Sequence, residues 1–180
     1  MKTVSAKNDS FSEALNYSDS LYRAAYYLAG SPVEVNDMVQ EVYLKAYTNW
    51  DKFKPGTNCK AWLFTILHNN WINWLNKEAK KPAALPPEQL ESLPVKATTP
   101  AVELRTVVEK MVGDEIQSAI KRLPTEYIDT LIMAWVGEFS YAEISEISGC
   151  PVGTVMSRLH RARVLLREFL SEYNKKNSPK

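Results

Sequence analysis

The stretch KPAALPPEQLESLPVKATTP, residues 81–100, constrains the fold most, because it carries Pro82, Pro86, Pro87, Pro94 and Pro100. Proline has no backbone N–H to donate and its ring blocks the preceding helical turn, so prolines at this density forbid a long helix and favour extended chain. The chain is therefore expected to divide into a first domain over residues 1–81, a linker over 82–105 and a second domain over 106–180. On both sides apolar residues recur at spacings of three and four, the helical period, and no alternating strand pattern is present. The expected class is all-α: two small helical domains joined by a proline-rich linker.

Charged residues make up 24% of the chain and hydrophobic residues 45%, an ordinary globular balance that excludes wholesale disorder. Formal net charge is only +1, so global charge names no partner. Its distribution is uneven: the first 50 residues are mildly acidic, whereas Arg158, Arg161, Arg163, Arg167, Lys175, Lys176 and Lys180 face only Glu168 and Glu172 at the other end. Such asymmetry marks either a nucleic-acid surface or a basic helix kept for solubility. Cys59 and Cys150 lie far apart, with no CxxC pair, so neither a disulfide framework nor zinc is expected. They read as inert thiols, since reactivity would need a lowered pKa and exposure. The start MKTVSAKNDSF has no apolar signal region and no run reaches transmembrane length. The expectation is a cytoplasmic protein with no membrane insertion.

In the first block an initial helix is expected over about residues 11–29, carrying Phe11, Leu15, Leu21, Tyr22, Ala25, Tyr26 and Leu28. Ser31-Pro32-Val33-Glu34 then reads as a helix start, with Ser31 as cap, Pro32 at the first helical position and Glu34 closing a capping box. Val35, Met38, Val39, Val42, Ala46 and Tyr47 follow as an apolar stripe, and Asp37, Gln40, Glu41 and Lys45 occupy the other face. Spacing alone leaves that face as either solvated or a docking surface. FKPGTN, residues 53–58, reads as a turn, after which AWLFTILHNNWINWLN runs as a helix to about Lys80. Leu63, Phe64, Leu67, Trp71, Trp74 and Leu75 form its apolar face; Thr65, Asn69, Asn73 and Asn76 lie opposite, with Trp62 at the head. Amides and hydroxyls bond base edges or phosphates, an indole stacks an unpaired base for roughly 1–3 kcal/mol, and Lys60 and Lys77 at the ends attract phosphate. The alternative, a core helix whose asparagines bond neighbouring backbone, stays open on these residues alone.

The second block has helix-turn-helix shape. A helix near residues 102–122 and the stretch LPTEYIDTLIMAWV precede SYAEISEISGCP and VGTVMSRLHRARVLLREFL. Ser140 can cap a short helix over Tyr141–Glu146, Ile144 and Ile147 face inward, Gly149 takes positive φ at little cost, and Pro151 starts the second helix. There Val152, Val155, Leu159, Ala162 and Leu166 share one side. Ser157, His160 and Arg161 take the other, with Thr154, Arg158 and Arg163 at the flanks. A recognition helix enters the major groove with its N-terminal residues, where Ser and Thr bond bases or phosphates and Arg grips guanine. Met156 offers only apolar contact.

These motifs, DMVQEVYLKAY (37–47), FKPGTNCKAWLFTILHNNWIN (53–73), LPTEY (123–127), SYAEISEISGCPVGTV (140–155) and SRLHRAR (157–163), taken in this order, resemble the extracytoplasmic-function (ECF) group of RNA polymerase sigma factors in the sigma-70 family. The resemblance covers about residues 11–172. It implies that Asp37, Gln40 and Glu41 dock on the clamp helices of the core polymerase. It also implies that Lys60, Trp62, Thr65, Asn69, Asn73, Asn76 and Lys77 melt and read the −10 promoter element. Thr154, Met156, Ser157, Arg158, His160, Arg161 and Arg163 would read the −35 element, and the linker would run toward the RNA exit path. Core RNA polymerase and promoter DNA are the implied partners, with an anti-sigma protein a further one. The resemblance assigns no catalytic residue, metal or cofactor, because the polymerase does the chemistry. Members of the group commonly carry Arg or Lys where this chain has Met156, and basic residues near His68 and Asn76. The competing reading is a stand-alone helix-turn-helix regulator that binds its operator without polymerase. An enzyme acting on nucleic acid fits worst, since no paired metal carboxylates, nucleophile with base or glycine-rich phosphate loop stands in the sequence.

Overall fold

Residues 11–29, 32–78 and 113–177 are described in a computed structural model, and all regular structure among them is helical. They fall into two compact units on either side of the proline-rich segment. The expected linker over 82–105, the expected cap Ser31 and the start of the helix expected near 102 lie outside the described residues.

The first unit is built from α1 (Ser18–Ala29), α2 (Pro32–Thr48), a 3₁₀ turn (Trp50–Lys52) and α3 (Cys59–Glu78). Pro32 opens α2 as its fixed φ favours. Each of the three helices packs on the other two. Their shared core holds Leu21, Ala24, Ala25, Val35, Val42, Ala46, Leu63, Phe64 and Leu67, all essentially solvent-free. Cys59, at the start of α3, is also buried, and that burial, with Glu13 nearby, pushes its thiol pKa from 9.0 to about 11.

The helix expected over 11–29 is interrupted. Residues 11–15 form a first helical piece, then Asn16 N–H and Tyr17 N–H bond back to the carbonyls of Glu13 and Ala14, and α1 starts afresh at Ser18. The break aims Phe11 at the aromatic end of α2, edge-on to Tyr47 at 5.2 Å and Trp50 at 5.0 Å between ring centroids. As a result Leu15 and Tyr22, expected on the apolar face, are 53% and 44% exposed, whereas Ala14 is buried.

The second unit comprises α4 (Gly113–Lys121), α5 (Thr125–Trp135), α6 (Tyr141–Ser148) and α7 (Val152–Asn177). α7 packs against α4, α5 and α6, burying Ile120, Leu131, Ile132, Ile144, Val155, Leu159 and Leu166. Between α5 and α6 the chain turns through Gly137. A Cβ there would lie 2.6 Å from the Met133 carbonyl oxygen and 2.6 Å from the Phe139 ring, so only glycine fits. Ser140 then starts α6 with a full capping box: its hydroxyl accepts from Glu143 N–H, and the Glu143 carboxylate accepts from Ser140 N–H at 2.9 Å. α6 runs to Ser148, two residues past the expected end, and Gly149 closes it at φ 65° as anticipated. The Pro151 carbonyl accepts the first bonds of α7, from Thr154 and Val155 N–H. Pro151 thus stands just before the helix rather than at its first residue.

Candidate nucleic-acid interface

α3 is aimed by the loop before it. Gly56 turns at φ 83°, and the Asn58 side chain caps the helix by accepting from Ala61 N–H at 3.0 Å. The rotation thus set buries Leu63, Phe64, Leu67 and Trp71 and leaves Asn69, Asn73 and Asn76 exposed. Thr65 is half-buried and its hydroxyl donates to the Ala61 carbonyl, which leaves its lone pairs for an incoming donor. Lys60 is half-buried and Lys77 exposed.

Two of the tryptophans sit differently from the expected core-versus-surface division. Trp62 is half-buried, tilted against Phe53 at 5.3 Å and edge-on to Trp50 at 5.7 Å. It belongs to an aromatic cluster that holds its indole in place and is a fixed platform, not a free one. Trp74, expected in the core, is half-buried and stacks on buried Trp71 at 5.0 Å with rings nearly parallel.

Asn70, which periodicity did not single out, is the hinge of the surface. It is only 6% exposed. Its Oδ1 accepts from Lys45 Nζ at 2.5 Å, and the same ammonium pairs with Glu41 Oε1 at 2.6 Å. Lysine is donor-only, so the amide oxygen must face it; the Asn70 Nδ2 is buried and has no hydrogen-bond partner among the described residues. Lys45 and Asn70 separate two concavities of about 420 Å³ each. One gathers Trp62, Thr65, Asn69 and Asn73 with Asn49 and Lys52. The other gathers Asn73, Asn76 and Lys77 with Glu41 and Trp74. A smaller hollow continues to Glu34 and Asp37. The acidic face of α2, where Asp37, Gln40 and Glu41 are solvent-accessible, therefore runs directly into the amide face of α3. Asn49 and Lys52 escaped sequence reading because they reach this surface from the far end of α2 and the 3₁₀ turn, by tertiary packing alone.

In the second unit the capping box and the Gly149 turn set α7 across α6. Val152 and Met156 are exposed; Thr154, Ser157, Arg158, His160 and Arg161 are half-buried on the same helix. Ser157 Oγ donates to the Thr154 carbonyl at 3.0 Å. The Arg158 Nη1 lies 3.9 Å from Cys150 Sγ, and the Arg161 Nη1 lies 3.4 Å from the Tyr127 hydroxyl. Arg163, expected at the flank of the DNA-reading face, is 4% exposed and lies inside the unit. Its charge reaches Tyr141, where it partly offsets the rise in hydroxyl pKa caused by burial. The side of α7 on which a residue falls is set by packing as well as by the helical wheel, and Arg163 is buried within reach of Tyr141 on α6. Among the described residues no three His, Cys, Asp or Glu side chains gather as metal ligands, and no helix is long and apolar enough to cross a membrane.

A family model for sigma-70 region 2 matches residues 15–81, and one for sigma-70 region 4 matches residues 113–166. The chain is 32% identical over 171 residues to the ECF RNA polymerase sigma factor SigW of Bacillus subtilis, across 91% of this chain and 90% of that protein. The chain belongs to the family of ECF RNA polymerase sigma factors. This sigma factor is also 27% identical to the ECF sigma factor SigE of Mycolicibacterium smegmatis, over 88% of its own length and 60% of the length of SigE. In structure it resembles the sigma factor RpoE of Bartonella quintana, solved in complex with the anti-sigma factor NepR, at a TM-score of 0.70 and 28% identity, covering 91% of this chain and 97% of that one. Sigma factors are transcription initiation factors that bind core RNA polymerase and promoter DNA. The comparisons therefore favour that reading over a stand-alone regulator.

Proposed function

We propose that this sigma factor brings core RNA polymerase to its promoters in the cytoplasm, with residues 1–81 reading and melting the −10 element and residues 106–180 reading the −35 element. Asp37, Gln40 and Glu41 dock on the polymerase. Trp62, Thr65, Asn69, Asn73 and Asn76 receive the −10 bases as they leave the duplex, with Lys52, Lys60 and Lys77 along the phosphates. Thr154, Met156, Ser157, Arg158, His160 and Arg161 face the −35 major groove; Arg163 is omitted because it is buried. An anti-sigma protein is a further partner, in keeping with the complex known for the Bartonella quintana relative.

The observation that carries this reading is the continuity of surface in the first unit. An accessible acidic helix face adjoins a groove lined by amides and an indole. A stand-alone regulator needs neither. Run-off transcription with purified core polymerase tests it, and failure to initiate specifically at any promoter of the source genome would refute it. Asn69→Ala and Asn73→Ala are expected to slow open-complex formation, read with permanganate on unpaired thymines, while leaving affinity for core polymerase unchanged. An equal loss of core affinity would make the amides structural.

A further inference from the structure

The first turn of α7 is apolar where a DNA-reading helix is usually polar. Val152 is 41% exposed and Met156 38% exposed. Four residues apart on a helix, they stand one above the other on the same face. Gly153 beside them has no heavy atom within 4 Å of where a Cβ would sit, so the surface around the pair is open. The polar side chains of this turn stand further in: Thr154 and Ser157 are half-buried, with the Ser157 hydroxyl donating within the helix. Arg158 and Arg161 are half-buried too, with Nη1 atoms lying against Cys150 and Tyr127. Among residues 152–161 the side chains that are exposed rather than half-buried are therefore hydrocarbon and thioether.

A recognition helix presents this end to base edges. The major-groove edge of DNA carries one distinctive apolar group, the C5 methyl of thymine. We infer that Val152 and Met156 form a pocket for a thymine methyl, and that this sigma factor specifies a thymine within its −35 element by apolar contact. The occupant is DNA rather than a protein surface because the pair lies at the N-terminal end of the helix proposed to read the −35 element, one turn before His160 on the same face. Val152 supplies branched, stiff methyls, and the unbranched Met156 side chain adapts to the ring edge. This inference rests on the −35 reading of the second unit proposed above.

The test uses holoenzyme assembled from core polymerase and the full chain, on a promoter that the holoenzyme itself selects from genomic fragments of the source. Each thymine of its −35 element, on either strand, is replaced singly by deoxyuridine, which removes the methyl and nothing else. Removal of one buried methyl predicts a roughly three- to tenfold weaker holoenzyme–promoter Kd at one position. Met156→Ala is expected to shrink that thymine-to-uracil ratio below twofold, and Val152→Ala to reduce it. Both side chains are exposed, and an unchanged melting temperature checks that the variants fold. Tolerance of deoxyuridine at every −35 thymine, or a ratio that survives both substitutions, would overturn the inference alone. A drop in core affinity in Met156→Ala with the ratio intact would also overturn it, and assign the pair to protein docking. If the holoenzyme selects no promoter, the sigma-factor reading falls and takes this one with it.

Discussion

Lys45 and Arg163 show how far a single charge can sit from the role its position suggests. Lys45 holds Glu41 on one side and the buried Asn70 amide on the other. Removing its ammonium leaves the amide oxygen buried beside an amide nitrogen that already lacks a partner. Lys45→Met is expected to cost about 1–3 kcal/mol in urea unfolding, and adding Asn70→Leu to restore most of it, because replacing both partners with apolar groups removes the unmet demand. Arg163 is a cation inside a core. A cation that neutralises a DNA phosphate contributes about 0.9 to the slope of log affinity against log salt, so removing it flattens that slope. Arg163→Ala is therefore expected to lower the melting temperature but leave the slope unchanged. Arg161→Ala, at the accessible side of the same helix, should flatten it or weaken −35 binding. A salt titration of holoenzyme on promoter DNA separates the two.

At the scale of elements, the turn from α5 into α6 is the least forgiving. Gly137 lies against the Met133 carbonyl and the Phe139 ring, and its own N–H bonds the Ile132 carbonyl at 3.1 Å. Gly137→Ala must push backbone aside, and overpacking of this kind costs about 1–3 kcal/mol. The expected result is a clear drop in the unfolding midpoint of the second unit, larger than for Gly153→Ala, which meets open space. The helices themselves were legible in the sequence. The apolar stripes at three and four spacing, the proline at the head of α2, Ser140 before α6 and Gly149 after it all report local preferences of the backbone. What the sequence hid was set by packing between elements. The interruption at Asn16 and Tyr17 exists because Phe11 finds the aromatic rings at the end of α2. Asn70 is buried because α2 lies across α3 and brings Lys45 to it. No periodicity within one helix carries either fact.

Across the whole molecule, each unit has its own core, and each carries one cysteine. Cys59 titrates from about 11 when folded, above its ordinary 9.0, because burial disfavours the thiolate. A raised pKa of this sign means its contribution to stability is fully present below pH 9 and is lost as pH climbs through 11. The pH-dependent fall in stability between pH 9 and 11 is expected to be smaller in Cys59→Ala by up to about 2–3 kcal/mol, read by urea unfolding at each pH. The same burial has a use at neutral pH. A chromogenic disulfide reagent can reach the Cys59 sulfur only when the helices of the first unit part, whereas the half-exposed Cys150 reacts from the folded state. The chain thus carries an internal stopwatch for its own opening. The slow phase of thiol labelling times the first unit, the fast phase serves as reference, and any partner that clasps α2 and α3 will lengthen the slow phase alone.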